Sequence, residues 1–483
     1  MSAQLKPSMR RERMSTVDTA WLRMDSDGNL MMIVSVLLFD RPMDMPRLRR
    51  TIESRLLSFR RFRSRVDHDL TGAWWQEQKV DLDDHLVRMT LGPGNPSNKA
   101  ELENLVARLS ATPLDPSRPL WQLHIVDNCV GEDGATRQAV IVRIHHCIAD
   151  GIALVGVLLS MFDDRADAPE RPAPVKPPRR HDENPWNELL QPVTSATVTT
   201  INLSTTMLTK YLWMLAESNN LVASVAKAGN MTSQLTTDAI SLLTMSEDTR
   251  TRLKGTPRGT KHVAWSEPVP LDEVKVIGKA LGGSVNDVLM ASVAGAIGSY
   301  LRARGDKVPS DAELRAMVPV NLRKSGKEAR LGNAFGLVPL VLPIGIENPM
   351  ARLVEVKRRM DELKGGYQAL IAMALLGVLG STPKQMQSEI QNFFAKKATA
   401  VMSNVPGPQA PLYLAGSRLD QIMFWVPQSG EIGVGVSILS YNGGVQFGIV
   451  TDDALKVEPH EIIRRFAPEF EKLVLLTLMA EWE

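Results

Sequence analysis

The chain has 483 residues, 44% apolar and 23% charged, proportions normal for a soluble globular protein and a length that suits two domains of ordinary size. Lysine and arginine total 56 against 54 aspartates and glutamates, so the net charge of +2 argues against a dedicated nucleic-acid binder. Two cysteines, Cys129 and Cys147, cannot build a disulfide framework or a cysteine zinc site, and a reducing cytoplasm is the default compartment. The opening MSAQLKPSMRRERMS is basic but has no apolar h-region behind it. The longest apolar stretches, Leu30–Phe39 and Ala369–Leu379, fall short of the roughly 20 residues a membrane-spanning helix needs, which leaves contact with a membrane surface open.

In chain order, Leu30–Phe39 reads as a buried strand, short and bounded by Asp25–Asn29 and Asp40-Arg41-Pro42. Pro46–Phe59 reads as a helix, with Leu48, Ile52 and Leu56 at four-residue spacing and Arg47, Arg50 and Arg55 turned elsewhere. A strand over Ala73–Gln78, a helix over Lys99–Ala111, strands over Leu120–Asp127 and Gln138–Ile144, and an apolar helix over Gly151–Phe162 complete a layered α/β domain. From Arg165 to Pro185 proline and charge dominate, the composition of an extended linker, and Trp186–Met245 is mostly helix-like. A second α/β unit follows, with helices Leu271–Leu281 and Val285–Arg304 and strands Ala316–Pro319 and Leu337–Pro343. A β-meander of Gln421–Pro427, Gly433–Leu439 and Val445–Thr451 comes next, with Asn442-Gly443 supplying a tight hairpin turn, and Pro459–Trp482 closes the chain as a helix. The expected division is an N-terminal domain over 1–164, a linker and helical connector over 165–250, and a C-terminal domain over 251–483.

The segment that carries chemistry is His145-His146-Cys147-Ile148-Ala149-Asp150-Gly151. Alternation along Val140–Ile144 puts Val140, Val142, Ile144 and His146 on one face of a strand and His145 with Arg143 on the other. The strand must end near His146, because Asp150-Gly151 opens a helix and brings Asp150 back toward the strand end, with Gly151 letting the backbone pass close by. A neutral imidazole at such an end can take the proton of a hydroxyl as that hydroxyl attacks a carbonyl, assistance worth roughly 10²–10⁴ in rate. An isolated His-x-x-x-Asp is uninformative; the preceding histidine and the following glycine make the pattern specific.

The motif resembles the active-site signature of the coenzyme A-dependent acyltransferase superfamily. Pro119-Leu120-Trp121, Asn286-Asp287, Val318–Arg323, Gly332-Asn333 and Ser403–Pro408, in that order, make the chain similar to the bacterial wax ester synthase/diacylglycerol acyltransferase family over nearly its whole length, from Met14–Asp18 to the final helix. Gly430–Val436 (GEIGVGV) stands where condensation domains and chloramphenicol acetyltransferases carry an Asp-Phe-Gly-Trp run, a departure that favours the wax synthase group. The resemblance implies two chloramphenicol-acetyltransferase-like α/β sandwich domains with mixed sheets, joined by a long linker, with a tunnel between them. It implies His146 as the general base, with His145 and Asp150 as supports, one ordering the loop and the other the imidazole. Asn286 is a candidate contact to the developing oxyanion and equally suits the N-cap of the helix it opens. Trp121 is expected as a wall beside the site, Ser403–Pro408 as a rigid turn, and Arg323 as a group that could meet a nucleotide phosphate.

The substrates implied are a fatty acyl-CoA, which is not a resident cofactor, and a long-chain alcohol or a diacylglycerol; no metal is implied. Such substrates suggest a cytoplasmic enzyme peripheral to the inner membrane or a lipid inclusion. The basic N-terminus (Lys6, Arg10, Arg11, Arg13) and the run Phe59–Arg65, read as a solvated strand edge, could each meet anionic lipid or, for the second, coenzyme A phosphates. Ala369–Leu379 reads as a core helix or a tunnel lining whose small residues, Gly377 among them, set chain length. Two other readings are an amide synthase of the condensation type, which would need a carrier domain or docking segment, and a non-catalytic lipid-binding protein, against which the complete motif argues.

Overall fold

A computed structural model describes residues 11–70, 72–94, 97–169, 245–321, 331, 333, 335–364 and 395–479. The expected linker beyond residue 169, the tunnel segment Ala369–Leu379, Lys6, Arg10 and Arg323 lie outside them. Two mixed sheets dominate. The first is six-stranded, in the order β13 (Tyr413–Leu414), β14 (Ser417–Trp425), β2 (Met32–Phe39), β7 (Thr136–His145), β6 (Trp121–Val130), β5 (Leu86–Thr90). The second runs β11 (Phe335–Leu342), β10 (Leu314–Asn321), β12 (Ala400–Pro406), β15 (Val434–Tyr441), β16 (Gly444–Asp452), β8 (Lys261–Trp265), with β9 (Val269–Pro270) also on β16. A small antiparallel sheet joins β1 (Arg11–Arg13), β4 (Gly72–Glu77) and β3 (Ser64–Asp69).

Strand β7 sits between β2 and β6, pairs antiparallel with both, and is buried from Gln138 to His145. A strand covered on both faces reads as a continuous apolar run, which is what Ala139–Val142 is. Val140, Val142 and Ile144 enter one core and Ala139 and Ile141 another, as alternation predicts. The helices are α1 (Thr16–Arg23), α2 (Met45–Thr51), α3 (Lys99–Ser110), α4 (Gly151–Met161), α5 (Leu271–Ala280), α6 (Val285–Ala303), α7 (Pro349–Lys364) and α8 (Pro459–Met479). No single described helix is long and apolar enough to cross a membrane; α5 and α6 pass that test only as a pair bent by 99°. Helix α6 is buried along most of its length in the core of the second sheet.

Three expectations need correction. The first strand of the expected meander is not paired with the other two: β14 runs antiparallel to β2 and extends the first sheet, so sheet membership crosses position 251. Only β15 and β16 form the hairpin, and Asn442 (φ 46°) and Gly443 (φ 79°) adopt the left-handed turn expected of them. The run Arg60–Arg63 is a short 3₁₀ turn, not a strand edge, with Phe62 fully buried. Arg60 reaches Glu12, Arg61 reaches Asp18 (2.8 Å) and Arg63 reaches Glu77 (2.5 Å). Finally, α2 ends at Thr51 and continues as a π turn over Ile52–Leu56, which turns Arg55 inward. Arg55 (3.0 Å) and Arg47 (3.1 Å) both bond the buried Asp163 carboxylate just beyond α4, fastening the end of that helix to α2.

The halves share a core. Met32, Val34, Ile141 and Val106 pack with Val263, Trp265, Met423, Trp425 and Val450. At the same junction the Lys261 ammonium is buried between Asn29 Oδ1 (2.7 Å) and Asp452 Oδ2 (3.2 Å). Trp265→Ala would empty the centre of that shared core. It is expected to cost about 3–5 kcal/mol, read as a lower midpoint in urea unfolding; an unchanged midpoint would show that the halves do not depend on this contact.

Candidate active site

The site grows from the end of β7. The His145 amide donates to Leu120 O (2.9 Å) on one side, and the His146 amide donates to Met31 O (2.7 Å) on the other. The two neighbouring strands thus grip the last residues of β7 by their backbone. Asp150 then caps α4, its carboxylate accepting from Ala153 N (3.0 Å), and Gly151 is the first helical residue. The reason expected for Gly151 is revised: among the described residues no atom lies within 4 Å of where its Cβ would be. The glycine borders open space at the helix N-terminus and is not squeezed by passing backbone.

The two histidines point into different surroundings. His145 Nε2 bonds the Asp25 carboxylate (3.2 Å), and its Nδ1 accepts the Cys147 amide (3.1 Å). Burial disfavours a second proton on this ring, while Cys147 and Asp25 favour one and raise its pKa. That proton would cost the Cys147 bond, which needs a bare Nδ1; while the bond is kept, the ring is the neutral Nε2–H tautomer. Asp25 also accepts the Met31 amide (2.5 Å), so one carboxylate ties His145 to the strand that holds His146.

His146 faces the junction of the halves. Its ring stacks on Trp21 of α1 (centroids 4.1 Å apart, 20° between planes) and lies 5.4 Å from Phe335 of β11. Burial pushes its pKa down to about 4, with the Asp150 carboxylate pulling the other way. A ring so placed is neutral at physiological pH, the state a general base requires. Its main-chain oxygen accepts from Asn333 Nδ2 (2.9 Å).

Several of these partners were not anticipated from sequence. Ser15 caps α1 and sets Asp18 and Trp21 three residues apart, hence on one helix face. The Asp18 carboxylate, 1% exposed, bonds Arg61 through one oxygen and Asn333 (2.8 Å) through the other. Arg61 in turn donates to Ile148 O (2.7 Å) and Cys147 O (3.4 Å) in the motif loop. The ordered motif set had contained Asn333, and Met14–Asp18 had marked the start of the resemblance. Trp21, Phe335, Asp25 and Arg61 carry no local pattern that would single them out.

Asn286 lies in the first turn of α6, not at its N-cap. That role belongs to Ser284, in a capping box with Asp287. Asn286 Oδ1 accepts from Asn404 Nδ2 (2.7 Å), which orients the Asn286 amide, and among the described residues no acceptor takes its N–H groups. Asn404 belongs to β12, so Ser403–Pro406 is strand and not the expected turn. Strand β12 is two strands from β11, about 10 Å across the sheet from the strand bearing Phe335. Trp121 is 2% exposed; its indole stacks on His85 (4.1 Å) and donates to Phe62 O (2.8 Å), bracing the strand that holds His145. Among the described residues no group of three or more histidines, cysteines or carboxylates could hold a metal.

A model of the wax ester synthase/diacylglycerol acyltransferase catalytic domain matches residues 14–289, and one of the C-terminal domain of the same family matches 331–474. The chain belongs to the wax ester synthase/diacylglycerol acyltransferase family. It is an acyltransferase. A Mycobacterium tuberculosis protein named as the diacylglycerol O-acyltransferase tgs1 is 24% identical over 84% of this chain and 81% of its own length. A second from that organism, Rv3087, named for the same activity, is 27% identical over 96% of this chain and 97% of its own. The solved wax ester synthase/diacylglycerol acyltransferase of Marinobacter aquaeolei VT8 shares the fold with a TM-score of 0.66, at 18% identity over 96% of this chain and all of that one. A condensation domain of the CDA synthetase shares it more distantly, with a TM-score of 0.54 at 16% identity over 98% of this chain and 97% of that one.

The lowered pKa of His146 leaves its ring unprotonated until pH approaches about 4. With this ring as the base, the acid limb of kcat/KM is expected well below the ordinary histidine value of 6.5. A pH–rate profile with its acid midpoint at or above 6.5 would contradict this placement.

Proposed function

We propose that the chain moves a long-chain acyl group from acyl-CoA to the hydroxyl of a long-chain alcohol or a diacylglycerol, with His146 as general base. The observation that carries this reading is a neutral imidazole, buried where the two halves meet, stacked on Trp21 from one and in tilted contact with Phe335 from the other. The hydroxyl proton passes to His146 as its oxygen attacks the thioester carbonyl. The tetrahedral intermediate then collapses, the carbon–sulfur bond breaks, and the coenzyme A thiolate takes the proton back from the imidazolium. Asn286, oriented by Asn404, is proposed to donate to the oxyanion. His145 and Asp150 are proposed to act on the loop and the helix end, and the Asp150 charge to favour the imidazolium that forms. Open space beside Gly151 supports substrate approach at the N-terminus of α4. The family model and the relatives' names support the choice of acceptor class.

In an assay of free thiol release from palmitoyl-CoA with hexadecanol or diolein, the protein is expected to release thiol with either acceptor. His146→Ala should fall to background, and Asn286→Ala should lose about 10²–10³ in kcat. Full activity in His146→Ala, or no release with any acceptor, would refute the reading.

The same substrates support a peripheral position at the cytoplasmic face of the membrane or at a lipid inclusion. The last described turns of α8 expose Leu475, Leu478 and Met479 (57, 74 and 79% accessible), spaced to share one helix face. Flotation with phospholipid vesicles should carry the protein upward, and retention at the bottom of the gradient would count against surface association.

A further inference from the structure

Two buried polar atoms at the site have no hydrogen-bond partner among the described residues: Nδ1 of His146 and Oδ1 of Asn333. One can donate and the other can only accept. They sit on residues already joined, because Asn333 Nδ2 donates to the main-chain oxygen of His146 (2.9 Å). The second N–H of that amide goes to Asp18 Oδ1 (2.8 Å). Both donors of the amide are therefore spent. Flipping it would set its oxygen against a carboxylate and a carbonyl, so the orientation of Oδ1 is determined. Asp18 is itself held by Arg61, which anchors the amide from behind.

We propose that Asn333 is the positioning residue that selects the tautomer of His146: its side-chain oxygen takes the Nδ1–H and leaves the Nε2 lone pair as the base. The proposal rests on the acyl-transfer reading for its consequence and on geometry for its substance. In an imidazole, the hydrogen bond at one nitrogen decides which nitrogen carries the proton. A base whose proton drifts between the two nitrogens is in the wrong form for part of the time. Catalytic hydrogen bonds are commonly long before substrates bind and tighten in the complex, so an Nδ1–Oδ1 pair not yet closed suits this role. Besides Asp150, the groups that favour a proton on this ring are its own main-chain carbonyl and, after it, the Asn333 side chain; that carbonyl competes for the ring proton, and Asn333 Nδ2 occupies it. Asp150, which the motif suggested as a partner of the ring, is engaged in capping α4. The ring of the N-terminal half would then be completed by a side chain from the C-terminal half, and the base would reach its working tautomer only when the halves are docked.

The test reads the tautomer directly. In full-length protein labelled with ¹⁵N-histidine, His146 is assigned by the signal lost in His146→Gln. The wild-type ring is expected to show a protonated Nδ1 and a bare Nε2 at neutral pH. Asn333→Ala should shift both nitrogens toward the averaged values of a free imidazole. Its kcat should fall about 10- to 100-fold, part of the roughly 10²–10⁴ a positioned base supplies, with KM for palmitoyl-CoA within about threefold. A wild-type ring carrying its proton on Nε2 would overturn the proposal whether or not the variant folds, and so would Asn333→Ala with wild-type nitrogen shifts. The expected tautomer in a protein that transfers no acyl group would uphold the pairing and refute the acyl-transfer reading instead.

Discussion

The site depends on one buried charge. Asp18 is almost wholly removed from water, and a carboxylate there is tolerable only with its oxygens paired. Arg61 satisfies one oxygen and Asn333 the other, and each partner reaches onward to a main-chain oxygen of the motif loop, at Ile148 and at His146. The loop between β7 and α4 closes on itself through Ile148 N to His145 O (3.0 Å) and the Cys147 amide to His145 Nδ1, and is held further by outside partners. Those partners are a helix near the N-terminus, a 3₁₀ turn and a residue from the far half of the chain. Removing any of the three would leave a charge or a carbonyl buried without a partner.

Adjacent in sequence, the two histidines are separated in chemistry by strand alternation. His145 is turned to a carboxylate and a main-chain amide, which hold its ring from both nitrogens. His146 is turned to aromatic faces, where burial withholds the proton and keeps the ring ready to receive one. The functional difference follows from a period of two residues and from what each face of β7 meets.

The halves are joined in a way that makes the site a shared property. Strand β14 leaves the C-terminal half to pair with β2, and β2 in turn supplies the pairing edge for β7. Trp425 therefore pairs with Val34 of β2, which itself pairs with Arg143 of β7, just before His146. The shared core around Trp265 and the buried Lys261 serve the same joint. Phe335 and Asn333 can stand over His146 only because this joint holds the second sheet in place.

Much of this was legible in the chain. Alternation in Val140–Ile144 placed His146 on the correct face, apolar periodicity located most helices, and Asn442-Gly443 marked its turn. The ordered motifs were enough to indicate the family. These features are local: they depend on side-chain periods, turn conformations and composition within a few residues. What sequence did not decide was long-range. An isolated strand does not declare its partner, so Gln421–Pro427 read as part of a meander when its edge belonged to β2. A basic run does not show its carboxylates, so Arg60–Arg63 read as a surface patch when Arg61 was committed to Asp18. Tertiary structure alone decided that Trp21, Asn333 and Phe335 would meet at His146. Trp21, His146 and the Asn333–Phe335 pair lie far apart in sequence, His146 and Asn333 by 187 residues, and only the burial of shared apolar surface and the pairing of a buried charge bring them together.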